Sequence, residues 1–405
     1  MSREQNRETD LFDEAIRKVQ AYLKPIGLKM DSHRTILKRL RIMWWFFMNT
    51  LCINASICGQ VAWLVHGIST GKSFIQLTYS APCLALCLQS NIQSFYFVKH
   101  GRQVCELVEA IRTLQSISAK KILEGVDIKF LKSQMNIFYF AVNSPTILSF
   151  LSITTFGISP LITIAMNYYS KGDIELIQPF LLLYPFDTTD IRFWLITYIH
   201  QMWTSVSAVL IVLAPYFLCY ACSTFIIFQL HVLQNDLENV IPIKNSLDVQ
   251  LMDEEFKKNL FKIIDRHRKL IKCVDLMECI YTESILFNVF TSTLLICLTG
   301  FNVMTIKDWT IVLSFLQFLM FGFIQIYFLC YYGDMIMIYV RKTLLNISND
   351  KIYEIIDLFC KCMRNNLCFR ARKPCKMTAL RYSDVNFQTF TKVNILFCFF
   401  FLFRH

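Results

Sequence analysis

Charge is scarce in this chain, and scarcest in long stretches. Only 18% of its 405 residues are Asp, Glu, Lys or Arg, and mean hydropathy is +0.42. A soluble domain cannot bury that much apolar surface. Recognisable catalytic elements are absent as well. The seven histidines (His33, His66, His100, His200, His231, His267, His405) form no His-Glu-x-x-His pair, which excludes a zinc hydrolase of that design, and no glycine-rich phosphate loop occurs. Residues 1–41 are polar and carry both charges, with no short apolar core before a small-residue cleavage site, so no signal peptide is expected. Cysteine is plentiful at sixteen, but Cys52, Cys58, Cys83, Cys87, Cys219, Cys222, Cys297 and Cys330 lie in apolar runs. The others sit in basic segments, apart from Cys398. Reduced thiols are expected, not a disulfide framework. The cluster Cys360, Cys362, Cys368 and Cys375 lacks the spacing of a known zinc finger. No metal, cofactor or enzymatic activity is expected.

What the chain does contain is long uncharged runs, which read as bilayer spans. Asp10 can cap a short amphipathic helix bearing Leu11, Phe12, Ile16, Val19 and Leu23, with Pro25 ending it. Ile42–Gly71 is free of Asp, Glu, Lys and Arg and opens on Trp44, Trp45, Phe46 and Phe47, interface residues at the start of a first span. Lys72 marks a tight turn, and Ser73–Val98 is the second span. The third lies within Ser133–Ser170, the fourth within Phe193–Asn235, the fifth is Ser284–Ile306 and the sixth Trp309–Gly333. The third and fourth blocks exceed the roughly 20 residues a bilayer needs, so their helices tilt or protrude. A seventh span over residues 382–405 must include the polar stretch Tyr382–Lys392, because the apolar run Val393–Phe403 reaches only about 16 Å of a roughly 30 Å core. Such a helix either lines an aqueous path or sits at the bundle centre.

Orientation follows from the basic residues. Residues 1–41 hold ten Lys and Arg, 99–132 seven, 236–283 eight and 334–381 ten, against Lys72, then Lys171 and Arg192, then Lys307 in the alternate loops. The rule that basic loops stay cytoplasmic places the N-terminus inside and the end of a seventh span outside. The net charge of +11 is confined to loops and does not indicate nucleic acid. The expected fold is therefore an all-α integral membrane protein of seven transmembrane helices, inverted relative to G-protein-coupled receptors. It also lacks their Asp-Arg-Tyr and Asn-Pro-x-x-Tyr elements. Four regions follow: a cytoplasmic segment 1–41, a six-helix bundle 42–333, a cytoplasmic anchor segment 334–381 and the seventh helix 382–405. Two inner stretches carry helical apolar spacing, one at Phe256, Leu260, Ile263 and Ile264 within 236–283, the other at Leu344, Leu345, Ile352 and Ile355. They form a cytoplasmic assembly domain or simply prolong the spans. The six clear spans hold essentially no charged residue in mid-span, which argues against a transporter or membrane enzyme.

Aromatic side chains gather in the outer halves of the spans: Tyr79, Phe150, Phe156, Tyr198, Trp203 and Phe315. They either line a pocket for a small apolar ligand or act as helix-packing and interface residues.

Several segments resemble the insect odorant receptor family, in particular its moth and butterfly members. They are Tyr184-Pro185-Phe186-Asp187, Asp190-Ile191-Arg192-Phe193-Trp194, His200-Gln201, Tyr331-Tyr332-Gly333-Asp334, Arg372-Lys373-Pro374-Cys375-Lys376-Met377-Thr378-Ala379 and Gln388-Thr389-Phe390-Thr391-Lys392-Val393. The resemblance implies the ligand-tuning subunit of an odorant-gated cation channel, a heterotetramer with a shared co-receptor subunit, in the plasma membrane of olfactory sensory neurons. It implies a pocket for a volatile hydrophobic ligand in each subunit, inner anchor helices, and a pore lined by the seventh helix. The pore and gate positions would be Thr391, Lys392, Phe399 and Phe403. After Lys392 the family has a Ser/Tyr-rich stretch, whereas Asn394–Phe403 here is rich in phenylalanine. A ring of these can block by dewetting. A receptor that binds without conducting, and a gustatory-type channel of the same architecture, are the alternatives. A gustatory-type channel usually carries Thr-Tyr and Gln-Phe signatures in its last span, which this chain lacks.

The inverted orientation is open to a direct check. An epitope fused ahead of Met1 should stain only after cells are permeabilised; staining of intact cells would rule out a cytoplasmic N-terminus.

Overall fold

The computed structural model describes residues 2–28, 36–118, 126–172, 174–240, 254–306 and 309–347, with short pieces at 378–379, 383–384, 388 and 391. The first helix, α1 (Ser2–Leu23), begins well before Asp10, which lies in its interior instead of at its cap. Its buried face is Phe12, Ala15, Ile16, Val19 and Leu23, the stripe expected of an amphipathic helix. A 3₁₀ turn at Lys24–Ile26 follows, closed by Gly27 at φ +76°, a left-handed position suited to glycine. The helix lies on the bundle: Phe12 meets Phe225 edge-on at 4.8 Å, and Tyr22 meets Phe217 at 5.0 Å.

The spans follow in order. The first is α2 (Ile36–Ser69), ended by a turn in which Gly71 adopts φ +71° and the Lys72 ammonium lies over the Trp63 ring. The second is not one helix. A short α3 (Phe74–Thr78) is separated by Tyr79 and Ser80 from α4 (Ala81–Lys99). Pro82 has no N–H to give to the carbonyl of Thr78 four residues earlier, and in a membrane an orphaned carbonyl needs another donor. Asn302 supplies it: its Nδ2 donates to the Thr78 carbonyl at 3.0 Å, and its Oδ1 accepts from the Thr78 hydroxyl at 2.8 Å. Further along α4, Gln89, Ser90, Gln93 and Ser94 all turn inward and are buried.

The inner end then carries α5 (Gly101–Ser118), an amphipathic helix whose Val104, Leu107, Ile111 and Leu114 are buried. Three very long helices follow: α6 (Val126–Lys171), α7 (Ile191–Val240) and α8 (Glu254–Thr305), and then α9 (Trp309–Ile347). The inner segment before the fifth span is therefore continuous with it, and α9 runs past Asp334 in the same way. Helices that prolong the spans are what the described residues show. Five helices (α2, α6, α7, α8 and α9) are long and apolar enough to cross a membrane, and α3 with α4 makes the remaining crossing of the six.

At the centre stands α7, in which every residue from 211 to 230 is buried. Over that stretch it has no lipid-facing side, wrapped by α1, α4, α5, α6, α8 and α9, whereas Leu195, Ile196 and Ile199 nearer its start are exposed. The basic segments converge at one end of the bundle. There Arg112 pairs with Asp13 at 3.0 Å, Lys99 with Glu283 at 2.8 Å, Lys272 with Glu106 at 2.9 Å and Arg266 with Asp236 at 3.0 Å. The first three pairs are exposed and contribute little. Arg266 is buried, and its second nitrogen donates to Gln229 at 2.6 Å. Beyond Ile347, two-residue strands β1 (Thr378–Ala379) and β2 (Ser383–Asp384) pair antiparallel. Most of segment 334–381 past residue 347, most of helix 382–405 and the Cys360–Cys375 cluster lie outside the described residues.

The Asn302 clamp generates a prediction. Asn302→Leu should leave the Thr78 carbonyl without a donor and destabilise the bundle by about 1–3 kcal/mol. A lowered melting temperature of the detergent-purified protein would register this; an unchanged one would mean that the break needs no clamp.

Candidate functional site

A cavity opens among the helices with about 650 Å³ of space free of protein atoms. Helical periodicity decides which residues reach it. From α6 come Ser149, Ser152, Ile153 and Phe156, at the spacing of one helix face; from α7 come Gln201, Thr204, Ser205, Ala208 and Val209, again one face. Ser56 and Gln60 of α2 stand one turn apart, Cys83, Leu86 and Cys87 enter from α4, and Phe318 and Phe321 from α9. Among the described residues no Asp, Glu, Lys, Arg or His lines it.

The loop before α7 forms part of the wall through Phe180 and Leu182. It is strapped down by side chains on one face of α7. Trp194 donates to the Ile177 carbonyl at 3.0 Å, Gln178 donates to the Thr197 hydroxyl at 2.6 Å, and Gln201 accepts from the Phe180 N–H at 2.9 Å. The Tyr184 hydroxyl and His200 Nδ1 lie 3.1 Å apart. On the other side the loop lies on α2, where the Leu183 N–H donates to the Gly59 carbonyl at 3.0 Å. A Cβ at Gly59 would stand 3.1 Å from the Leu183 oxygen, so the absence of a side chain admits the strap. Asp190 caps α7 by accepting from the Arg192 N–H at 2.9 Å, which fixes where the loop ends.

Of the six aromatics singled out from the sequence, Phe156 lines the cavity, stacked on Phe180 at 5.3 Å and meeting Phe318 edge-on at 5.3 Å. The other five do not line it. Tyr79 and Phe315 pack on each other at 5.9 Å, where the second span is broken. Tyr198 donates to the Gly157 carbonyl and packs on Trp194 at 5.0 Å. Trp203 donates to Asn49 Oδ1 at 3.0 Å and packs against Trp45 at 5.7 Å. Phe150 is 73% exposed, because a step of six residues from Phe156 carries it off the lining face of α6. The gate positions Lys392, Phe399 and Phe403 lie outside the described residues; Thr391 is helical and exposed.

Among the lining residues that the aromatic pattern missed are the polar side chains Ser56, Gln60, Ser149, Ser152 and Thr204. Their helical spacing within apolar runs was the available signal.

Because Gly59 seats the strap, Gly59→Val should lift it. Hydrogen exchange of the backbone amides at 180–183 should then accelerate on the order of tenfold, the effect of losing one net hydrogen bond. Gly101→Ala, at a position with nothing within 4 Å, should leave those amides unchanged. Equal exchange in the Gly59→Val and unaltered chains would show that the close approach does not hold the loop.

Comparison with known proteins agrees with this architecture. A family model described as 7tm Odorant receptor matches residues 73–397. The chain is 23% identical to putative odorant receptor 92a of Drosophila melanogaster, over 95% of this chain and 93% of that one. To odorant receptor 67c of the same fly it is 21% identical, over 94% and 93%. Among solved structures, the olfactory receptor OR5 of Machilis hrabei in complex with eugenol superposes with a TM-score of 0.76 at 16% identity, covering 98% of both chains. The structure of OR5 alone gives a TM-score of 0.74, covering 98% of this chain and 99% of that one. With most of its length matched by the family model, the chain belongs to the insect 7tm odorant receptor family.

Proposed function

We propose that this receptor is the ligand-tuning subunit of an odorant-gated cation channel, assembled with a shared co-receptor subunit in the plasma membrane of olfactory sensory neurons. The observation that carries the proposal is the cavity walled by five spans and an outer loop, with no charged side chain among its described lining residues. It is a site suited to a small neutral organic molecule and to little else. The eugenol complex of OR5, a protein of the same fold, supports the reading, since eugenol is a small volatile of that description. In this proposal Phe156, Phe180 and Phe318 grip the ligand. Thr391 and Lys392 border the conducting path, and Phe399 and Phe403 close it by dewetting. A ligand opens the path only by binding the conducting arrangement more tightly than the closed one.

Current recorded from cells expressing the receptor with the co-receptor, across a broad panel of volatiles, tests this. Odorant-evoked cation current is expected, and Phe318→Ala should raise the half-maximal concentration on the order of tenfold or more, the effect of losing a buried aromatic contact. Silence across the panel, with the receptor shown at the cell surface, would overturn the reading. Volatile binding without current would point to a receptor that binds but does not conduct.

A further inference from the structure

Most polar groups around the cavity are already committed. Ser149 donates to the Pro145 carbonyl at 2.6 Å, Ser152 to Leu148 at 3.0 Å and Ser205 to Gln201 at 2.8 Å. Gln201 accepts from the Phe180 N–H and donates to the Tyr184 hydroxyl. Three atoms are different. Ser56 Oγ, Gln60 Oε1 and Thr204 Oγ1 are buried and have no hydrogen-bond partner among the described residues. Their residues are only 3%, 3% and 4% exposed, and all three line the cavity. Polar atoms this deeply buried are ordinarily paired, because leaving one unpaired costs its full desolvation.

We propose that the cavity selects volatiles bearing a hydroxyl group, small alcohols or phenols, by satisfying these atoms. The inference rests on the odorant-binding reading above. The ligand O–H donates to Gln60 Oε1, and its oxygen accepts from the hydroxyl of Ser56 or Thr204. An ether or ester can accept from those hydroxyls but has nothing to give Gln60, and a hydrocarbon satisfies none of the three. Among the described residues the Gln60 amide nitrogen has only the Cys87 sulfur, 4.0 Å away, as partner. A ligand hydroxyl both donates and accepts, so it fits the amide in either orientation. An ammonium or carboxylate ligand would meet no opposite charge in the lining.

The test uses matched sets that share one carbon skeleton (alcohol, methyl ether and hydrocarbon), applied to cells expressing the receptor with the co-receptor. The alcohol should act at a concentration on the order of tenfold or more below its ether. Gln60→Leu should abolish that preference by weakening the alcohol while sparing the ether. Phe318→Ala should weaken every member of a set alike. Should Gln60→Leu fail to reach the surface, Thr204→Val and Ser56→Ala carry the same comparison, each narrowing the gap. Ethers as potent as alcohols across skeletons that do evoke current would overturn the proposal while leaving the receptor reading intact, as would an undiminished alcohol preference in Gln60→Leu. Silence toward every compound, with surface delivery shown, would overturn both.

Discussion

Lipid offers no hydrogen bonds, and the rest of this structure answers to that fact. Where the second span breaks at Tyr79 and Ser80, a side chain from α8 takes over the bond that Pro82 cannot make. Deeper in the bundle, Asn288 Oδ1 accepts from Gln89 of α4, from Gln325 of α9 at 3.0 Å and from Ser292 at 3.3 Å. Three spans are thereby pinned at one level. Gln234 does the same toward the inner end, donating to Thr343 at 2.9 Å and to the Tyr339 carbonyl at 3.0 Å. Individual bonds of this kind contribute about 0.6–2 kcal/mol in membrane proteins, so their worth lies as much in fixing register as in energy.

The same constraint ranks the helices. With twenty consecutive buried residues, α7 behaves like the core of a soluble protein, whereas α2 and α6 turn Trp44, Phe47, Phe140 and Phe150 outward to lipid. At about 1.5 Å per residue, the 50 residues of α7 extend some 75 Å, more than twice a hydrocarbon core of roughly 30 Å. One rigid element thus lines the cavity at Thr204 and Ala208 and, toward its other end, carries the buried pair of Asp236 with Arg266. α9 repeats the arrangement, with Phe318 at the cavity and Tyr339 against Gln234. A shift forced at the cavity cannot be absorbed by loops between the two levels, because no loop intervenes.

Most of the spans were legible in the sequence because absence of charge over some twenty residues has few other causes. The orientation was legible because basic residues alternate by loop, and in the structure those from 99–118 and 254–283 pair with partners at a single end of the bundle. The break at Tyr79 was not legible, since Pro82 signals a helix start or a kink equally well, and its compensation comes from Asn302, more than two hundred residues away. Asp10 misled for a simpler reason: a capping residue is also tolerated inside a helix when its neighbours favour helix. The aromatics misled about the cavity because large rings are what lipid contacts and helix packing also require. Phe150 and Phe156 look alike in sequence, and only the turn of α6 sends one outward and the other in.

Three side chains of the cavity wall depart from the rule that most of the bundle obeys. Elsewhere in the spans, serines and threonines are mostly spent on helix carbonyls one turn back, as Thr154, Thr163 and Thr293 are. At Ser56, Gln60 and Thr204 the cavity wall keeps polar capacity without spending it, and none of its described lining residues is charged. A molecule that reaches a receptor through air is neutral, so a charged lining would hold nothing it needs to hold and would carry a desolvation penalty in every receptor without ligand. An apolar lining with a few uncommitted dipoles avoids that penalty and still separates ligands by what they can donate. Discrimination of this kind does not depend on the total apolar contact, so a change in which small side chains face inward can alter ligand preference while the helical walls of the cavity stay in place.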